Sequence, residues 1–490
     1  MRFPPTRRQW RVILAGLVVL AFAGSLFVYN SFFREADPPV FASDEDHFLF
    51  GSIGTEGNQG VPYWIWLVLP RIFPDLLPGP GGYASLGLVS RGDMEMPVGL
   101  SKVTVGFPRV GINCAFCHTA SYRLRPDDPP VLVAGGPSHQ TAPQAYFRFL
   151  FAAASDPRFN ASTILGEIAK NYRLPLMDRL LLRFAIIPTA RMALRQTRDE
   201  QDAWMRKRPD WGAGRIDPFN PVKFGILQMP VDATIGNSDM VPVWNIRRRE
   251  GWAYHWDGLN PSLREVVISS ALGDGASREW ADRDVAKWDD ADAASISSMQ
   301  RITDFMLSSA APRFPLPVDQ GLATKGSAIY QAQCAACHTA MGPRAGTIIP
   351  VDEVGTDRHR LDMWTPAAAA RYNAYGEGHA WDFSAFRSTN GYVPPLHDGL
   401  WLRGPYLHNG SVPTLADLLE APGARPKRFW RGYDVLDAAR VGFISSGPEA
   451  ERVGTPYDVT APGNGNVGHT YGTTLPAEDK RALLEFLKTL

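Results

Sequence analysis

Cys114-Ala115-Phe116-Cys117-His118 and Cys334-Ala335-Ala336-Cys337-His338 are two copies of one pattern, and together they take up all 4 cysteines of a 490-residue chain. Cys-x-x-Cys-His is the attachment signature of c-type haem. Two thiols one helical turn apart can form thioethers to the two vinyl groups of one porphyrin. The next residue then offers an imidazole to the iron from the same face. Four thiolates could instead converge on one zinc ion. That alternative explains neither the histidine after each pair nor the export signal at the N-terminus. Two covalently bound haem c groups are therefore expected, attached through Cys114 and Cys117 and through Cys334 and Cys337, with His118 and His338 as iron ligands.

The export signal is the 18-residue stretch Val12 to Tyr29, which has no charged side chain and follows Arg2, Arg7, Arg8 and Arg11. It is just long enough to span a bilayer, and the basic flank places the first residues in the cytoplasm. Residues 1–35 are read as an inner-membrane anchor with the bulk of the chain in the periplasm, where covalent haem attachment takes place in bacteria. A cleaved signal peptide, leaving a soluble periplasmic protein, is the alternative, because Ala21-Phe22-Ala23 fits a cleavage site. A second apolar run, Trp64 to Leu69, meets Pro70, Pro74 and Pro78 and cannot be another span. It is either core or a Trp-rich surface against a membrane or an apolar substrate.

Equal numbers of basic and acidic residues, 50 of each, with 45% hydrophobic residues describe a folded chain and exclude disorder and a nucleic-acid partner. The 45 Gly and 41 Pro predict many turns and long connections. Around the second motif, Leu322 to Gln333 reads as an amphipathic helix carrying Gly326, Ala328 and Tyr330. A last helix after Pro476 repeats apolar residues at Leu483, Leu484, Phe486, Leu487 and Leu490. Crossed beside a haem, the two would make a class I cytochrome c core. The first motif lacks such flanks: Val103 to Asn113 reads extended, and apolar helices at Tyr146–Ala154 and Met177–Arg195 are expected to wrap its haem. The fold class is mostly α and loop-rich, with two c-type haem domains having class I cytochrome c-like cores after one N-terminal transmembrane helix. The boundaries are 1–35 for the anchor, 36–315 for the haem 1 domain and 316–490 for the haem 2 domain, with Pro312, Pro315 and Pro317 marking the linker.

Val393-Pro394-Pro395-Leu396, followed by Gly404-Pro405-Tyr406-Leu407-His408-Asn409-Gly410-Ser411, resembles the C-terminal haem signature of the bacterial di-haem cytochrome c peroxidase and MauG superfamily. Pro242-Val243-Trp244-Asn245 and His255-Trp256-Asp257-Gly258 resemble its inter-haem segment. Within the superfamily the RoxA-like branch, the rubber oxygenase-like proteins, is the nearest match, through Pro97 to Leu100, Arg425-Pro426, Val441 to Phe443 and Gly463-Asn464-Gly465-Asn466-Val467-Gly468-His469. In that branch the C-terminal haem is bis-histidine and the N-terminal haem keeps an open or oxygen-bound site under an apolar pocket. The resemblance implies His469 as the second ligand of haem 2, with His408 and Asn409 as outer residues or, for His408, an alternative ligand. The residues alone do not separate His469 from His408, since both sit in Gly/Asn-rich turns that allow close approach to a porphyrin.

For haem 1 no histidine stands out as sixth ligand. His255 is nearest and is expected to brace the Trp-Asp-Gly turn; Met229 and Met240 are thioether alternatives. An open site lined by some of Met240, Val241, Val243 and Trp252 is the working picture. Trp244 and Trp256 are candidate electron relays by the same resemblance, or buried aromatic core. A calcium ion between the haems, at Asn245, is also implied, although no carboxylate cluster accompanies it. The peroxidase branch carries a catalytic Glu after Trp-Asp-Gly, and no residue here matches its pattern, Glu265 being the nearest acid before Asp274. Relative to the rubber oxygenase this chain is shorter and carries an anchor. Two functions follow. Either haem 1 activates dioxygen or peroxide, a small-molecule oxidant, while haem 2 supplies electrons, or both irons are six-coordinate in a periplasmic electron carrier. The redox partner would be a small cytochrome or a quinol-oxidising complex. Replacing Cys114 and Cys117 with Ala is expected to halve the haem content per chain measured as pyridine haemochrome; a chain that never held haem would give none in either form.

Overall fold

The computed structural model describes residues 6–490 except 37, 291, 293 and 294; Arg2 of the basic flank lies outside them. The chain is 46% helical. Its largest sheet among the described residues has three antiparallel strands, Val61–Pro62 and Leu100–Val105 on either side of Phe107–Ile112. Phe107–Ile112 and the second half of Leu100–Val105 fall in the region Val103 to Asn113 expected to be extended. Pro and Gly fragment the remainder into short helices and two-stranded ribbons.

The N-terminal helix Arg7–Phe32 opens with a capping box in which Thr6 and Gln9 exchange bonds, buries none of its residues, and is long and apolar enough to cross a membrane. Backbone bonds tie its C-terminal end to the body. Ala36 N–H bonds to Thr104 O at 2.9 Å and Gly106 N–H to Arg34 O at 2.8 Å. A Cβ on Gly106 would stand 2.3 Å from Phe32 Cα, so the hairpin turn needs glycine there.

Two apolar clusters surround the first motif. One gathers helices Asp44–Phe50, Leu263–Gly273, Arg278–Asp289 and Ser298–Ser308, with Phe48 stacked on Phe305 at 4.4 Å. Trp364, Tyr372 and Trp381, from the stretch allotted to the second unit, also pack into this cluster. The other cluster holds helices Tyr63–Ile72, Pro143–Ser155 and Ala161–Ala169. Here Trp66 stacks on Tyr83 at 4.4 Å and donates to Tyr146 Oη at 3.1 Å, so the Trp-rich run is mainly core. Helix Pro143–Ser155 reaches the first motif through Tyr146, whose ring meets Phe116 at 5.5 Å. The region 177–195 instead runs along the outside of this cluster and leaves Met177 exposed.

The second motif follows helix Gln320–Gln333, which crosses the last helix, Ala477–Leu487, as expected. The crossing is close because Gly326 has no side chain: a Cβ there would sit 2.0 Å from Ala482 O. Tyr330 packs on Phe486 at 5.1 Å beside it. The proline linker lies along this core, with Pro312 O accepting from Trp401 Nε1 at 3.0 Å.

Polar contacts connect the two parts of the chain. Arg431 pairs with Asp239, both buried, and donates to Gly410 O at 2.7 Å. Arg215 Nη1 reaches Asn464 Oδ1 at 2.7 Å, and Arg123 Nε reaches Asp434 Oδ1 at 2.7 Å. Burial holds the Asp239 carboxyl up at about 6 against the pull of Arg431.

An Ala in place of a mid-helix Gly normally stabilises by about 1 kcal/mol. At Gly326 the sign reverses. Gly326→Ala is expected to destabilise by about 1–3 kcal/mol through overpacking, read as a lowered thermal unfolding midpoint.

Candidate haem-binding sites

The second motif is a short turn of helix. Cys334 ends Gln320–Gln333, and Ala335–His338 carries Cys337 and His338 on the following turn. His338 Nδ1–H donates to Pro395 O at 2.8 Å. A carbonyl can only accept, so this bond fixes the tautomer and leaves Nε2 as the free electron pair. Burial pulls the ring's pKa to about 4, so the imidazole is neutral at pH 7.

The His469 ring centre lies 6.2 Å from that of His338. Two imidazoles on opposite sides of a metal, with metal–nitrogen bonds of about 2 Å, have ring centres roughly 6 Å apart. The spacing therefore fits an iron between them. Burial lowers His469 to about 3, and its Nδ1 is buried without a partner among the described residues.

His469 comes from a loop with little regular structure, and two buried side chains hold that loop. Asn409 Nδ2 donates to Gly463 O at 3.1 Å and Gly465 O at 2.9 Å. The Arg425 guanidinium donates to Asn466 O (2.6 Å), Gly468 O (2.9 Å) and His469 O (3.1 Å), and also to Leu418 O and Glu420 O. His469 itself has φ +45°, and its N–H bonds to Val354 O at 2.7 Å. Gly468 lies against Gly355 so closely that a Cβ would be 2.3 Å from Gly355 C. Gly468 thus serves a close backbone approach, Asn464 and Asn466 bond outward to Arg215 and Pro426 O, and Asn409 clamps the loop.

His408 is placed differently. Its Nε2 bonds to Tyr392 Oη at 3.0 Å, and the Tyr392 hydroxyl donates to Asp357 O at 2.6 Å. The rings within reach of His338 among the described residues are His469 and His397, not His408. His397 was not singled out by the sequence. It stacks on His338 at 3.8 Å and 21°, and its Nδ1 meets Tyr330 Oη at 3.2 Å. Its place in Pro394-Pro395-Leu396-His397, two residues after the carbonyl that holds His338, is the signal that could have found it. All these rings line one mainly apolar cavity, which also reaches Met240, His255 and Trp256.

At the first motif, Asn113 caps the Cys114–Phe116 turn, accepting from Ala115 N at 3.0 Å and donating to Gly51 O at 2.9 Å. Gly99, at φ +87°, lets the preceding strand lie on it, since a Cβ would be 2.4 Å from Phe116 Cα. His118 Nδ1–H donates to Val241 O at 2.7 Å, the same arrangement as at His338. Burial lowers the ring's pKa here too. Burial lifts the Cys114 thiol to about 12, with the buried carboxyl of Asp274 adding to the effect at Cys114 and Cys117. Asp274, after helix Leu263–Gly273, is itself raised to about 7 by burial. It is the acid near this motif, whereas Glu265 accepts from Asn260, Ser384 and Ala385 and acts as a brace.

Several expected neighbours stand elsewhere. Because Nδ1 points away from Nε2 on an imidazole, Val241 lies behind His118 rather than across from its Nε2, where a distal residue belongs. Val243 does stay beside the first motif, buried in the apolar cluster that also takes in Ala115 and Cys114, its N–H on Gly135 O at 2.8 Å. Trp252 packs over Gly346, beyond the second motif. Met240 is buried and lines the cavity that holds Cys334, Cys337 and His338. His255, at φ +64°, lines the same cavity; its side chain makes no hydrogen bond among the described residues and packs on Phe219 at 5.5 Å, and burial brings its pKa to about 3, with Arg360, Arg249 and His118 nearby. Trp244 Nε1 donates to Asp398 O at 3.0 Å, and Trp256 Nε1 to Asp239 O at 2.8 Å. Asn245, at φ +53°, opens a turn that continues Arg247-Arg248-Arg249, a basic setting with no cluster of three or more metal-binding acids, His or Cys among the described residues.

A family model described as RoxA-like, cytochrome c-like matches residues 391–431. That segment supplies Pro395, His397, His408, Asn409, Arg425 and Arg431, and a cytochrome c-like domain implies binding of haem c. Two proteins of Sinorhizobium fredii are similar over longer spans. The uncharacterized protein y4iJ is 24% identical over 78% of this chain and 77% of its own length. The uncharacterized protein y4iM is 29% identical over 54% of this chain and 66% of its own.

Each buried carbonyl left without a donor costs about 1–3 kcal/mol. Arg425→Met, which keeps the bulk and removes the donors, is expected to free the loop, read as faster amide hydrogen exchange across residues 463–470 with little change in helix Gln320–Gln333.

Proposed function

We propose that this protein is a di-haem c-type cytochrome of the cell envelope, related to the RoxA-like branch of the di-haem peroxidase and MauG superfamily. The observation that carries the proposal is the pairing of two motif histidines held by Nδ1 on backbone carbonyls with a third, His469, at the spacing of a bis-imidazole stack. Haem c, when bound, supplies an iron that exchanges single electrons and, where the sixth position is free, can activate a small oxidant.

In this reading Cys334 and Cys337 would tether haem 2 while His338 and His469 would both ligate its iron, a set that favours electron transfer. Pro395 O holds the His338 ring by Nδ1, His397 stacks on its face, and Asn409 and Arg425 fix the loop that carries His469. Cys114, Cys117 and His118 would hold haem 1, which would supply the site for dioxygen or peroxide, with Met240 as apolar lining and Asp274 as a carboxyl near neutral pH that can hold or release a proton. Trp244 and Trp256 lie between the segments that serve the two motifs and are the proposed relays. Helix Arg7–Phe32 anchors the chain in the inner membrane with the haem sites in the periplasm, where a small cytochrome or quinol-oxidising complex exchanges electrons with it.

One observation favours the second reading, an electron carrier with both irons six-coordinate: the buried His255 ring has no hydrogen-bond partner among the described residues and lies near enough to His118 to feel it. Electron paramagnetic resonance of the oxidised holoprotein separates the two. One high-spin and one low-spin haem are expected, and His469→Ala converts the low-spin signal to high-spin while His408→Ala leaves it. Two low-spin haems, one of them lost in His255→Ala, would establish the carrier.

A further inference from the structure

Residues 176–202 form a helical run with two π-turns, Leu176–Leu181, Leu182–Ile186, Ile187–Thr197 and Arg198–Asp202. One side is core: Leu182, Ile186, Ile187 and Ala190 are buried in the cluster of helices Tyr63–Ile72 and Pro143–Ser155. The other side, at the start of the run, is apolar and uncovered. Leu176 is 69% exposed, Met177 52%, Leu180 40% and Phe184 71%. At i, i+1, i+4 and i+8 they share one side of the helix. Isolated exposed apolar residues are ordinary, but a contiguous group marks an interaction surface. Arg173, Arg179 and Arg183 are exposed among them, against the single acid Asp178.

The position of this surface identifies what covers it. Phe32, at the end of the N-terminal helix, meets Phe107 edge-on at 6.4 Å. Phe107 begins the strand that pairs with Val61–Pro62, and two residues further Trp64 meets Tyr172 at 5.2 Å. Tyr172, four residues before the apolar helix, is thereby linked through Trp64, the strands Val61–Pro62 and Phe107–Ile112, and Phe107 to the end of the long N-terminal helix. Backbone bonds between Ala36 and Thr104 and between Gly106 and Arg34 tie that end to the same sheet.

We infer that Leu176–Phe184 docks on the surface of the same bilayer that holds Arg7–Phe32. The four apolar side chains enter the boundary between headgroups and acyl chains, and Arg173, Arg179 and Arg183 meet the phosphates of acidic lipids. This rests on the anchor reading of the proposed function. With the anchor and this helix as two contacts, the domain has a fixed orientation to the membrane plane.

The test uses the full-length holoprotein in vesicles of phosphatidylethanolamine and phosphatidylglycerol. Haem thioethers consume the native cysteines, so Leu180→Cys, Phe184→Cys, Leu20→Cys and Glu451→Cys each give one site for an environment-sensitive fluorophore. Emission in brominated lipid is compared with emission in plain lipid, which cancels energy loss to haem. Quenching of about twofold is expected at 180, 184 and 20, none at 451, and weaker quenching at 180 when Arg179→Glu and Arg183→Glu are added. Quenching at 20 but not at 180 or 184 would overturn the docking and leave the anchor. Quenching at 180 and 184 but not at 20 would support docking and refute the anchor. No quenching at any of the three would refute both, and the exposed patch would then belong to a protein or an apolar substrate.

Discussion

A five-residue attachment loop can bring two thiols and an imidazole together, but it cannot orient the imidazole. At both motifs the orientation comes from a carbonyl far along the chain. His118 bonds to Val241, 123 residues away, and His338 to Pro395, 57 residues away. Each bond sets a tautomer and aims Nε2, so the usefulness of each motif depends on where residues 241 and 395 are held. The two supports are also linked to each other. Trp244, three residues after Val241, donates to Asp398, three residues after Pro395. One indole hydrogen bond thus joins the scaffolds behind both histidines.

The side of the second site facing His338 is built on a different plan. His469 sits in a loop with little regular structure; its own N–H bonds to Val354 O at the end of helix Val351–Val354, and neighbouring backbone groups take their partners from side chains. Arg425 and Asn409 provide them, and both are buried. A buried guanidinium is costly unless its donors are used, and here five carbonyls use them. The neutral state of the surrounding histidines has the same origin: low-dielectric surroundings disfavour the protonated ring, which leaves the electron pair available.

Local features were legible in the sequence. The motif spacing, the extended run before Cys114, the long apolar N-terminal helix and the crossing at Gly326 each depend on residues close together or on a periodic pattern, and each is present. What depended on long-range packing was not. Val241 is apolar and near the first motif in space, but only the 123-residue hydrogen bond reveals that it stands behind the histidine. Trp252 faces Gly346, and Trp364, Tyr372 and Trp381 join the core of the first part, because apolar periodicity says that a residue is buried without saying in which cluster. Met177 to Arg195 has a buried side and an exposed apolar side, and composition alone cannot distinguish such a helix from one enclosed by a core. His397 escaped notice because one histidine in a loop carries no pattern until its ring is found against another.

The contact between Arg431 and Asp239 bears on how the molecule can be divided. Each partner lies on its own side of the proline linker, both are buried, and separation would strand a charge on each half at a cost of several kcal/mol. Arg215 with Asn464 and Arg123 with Asp434 add two more polar contacts across the same point of the chain. Cutting the chain at the linker would therefore uncover donors and acceptors that now satisfy one another on both sides of it.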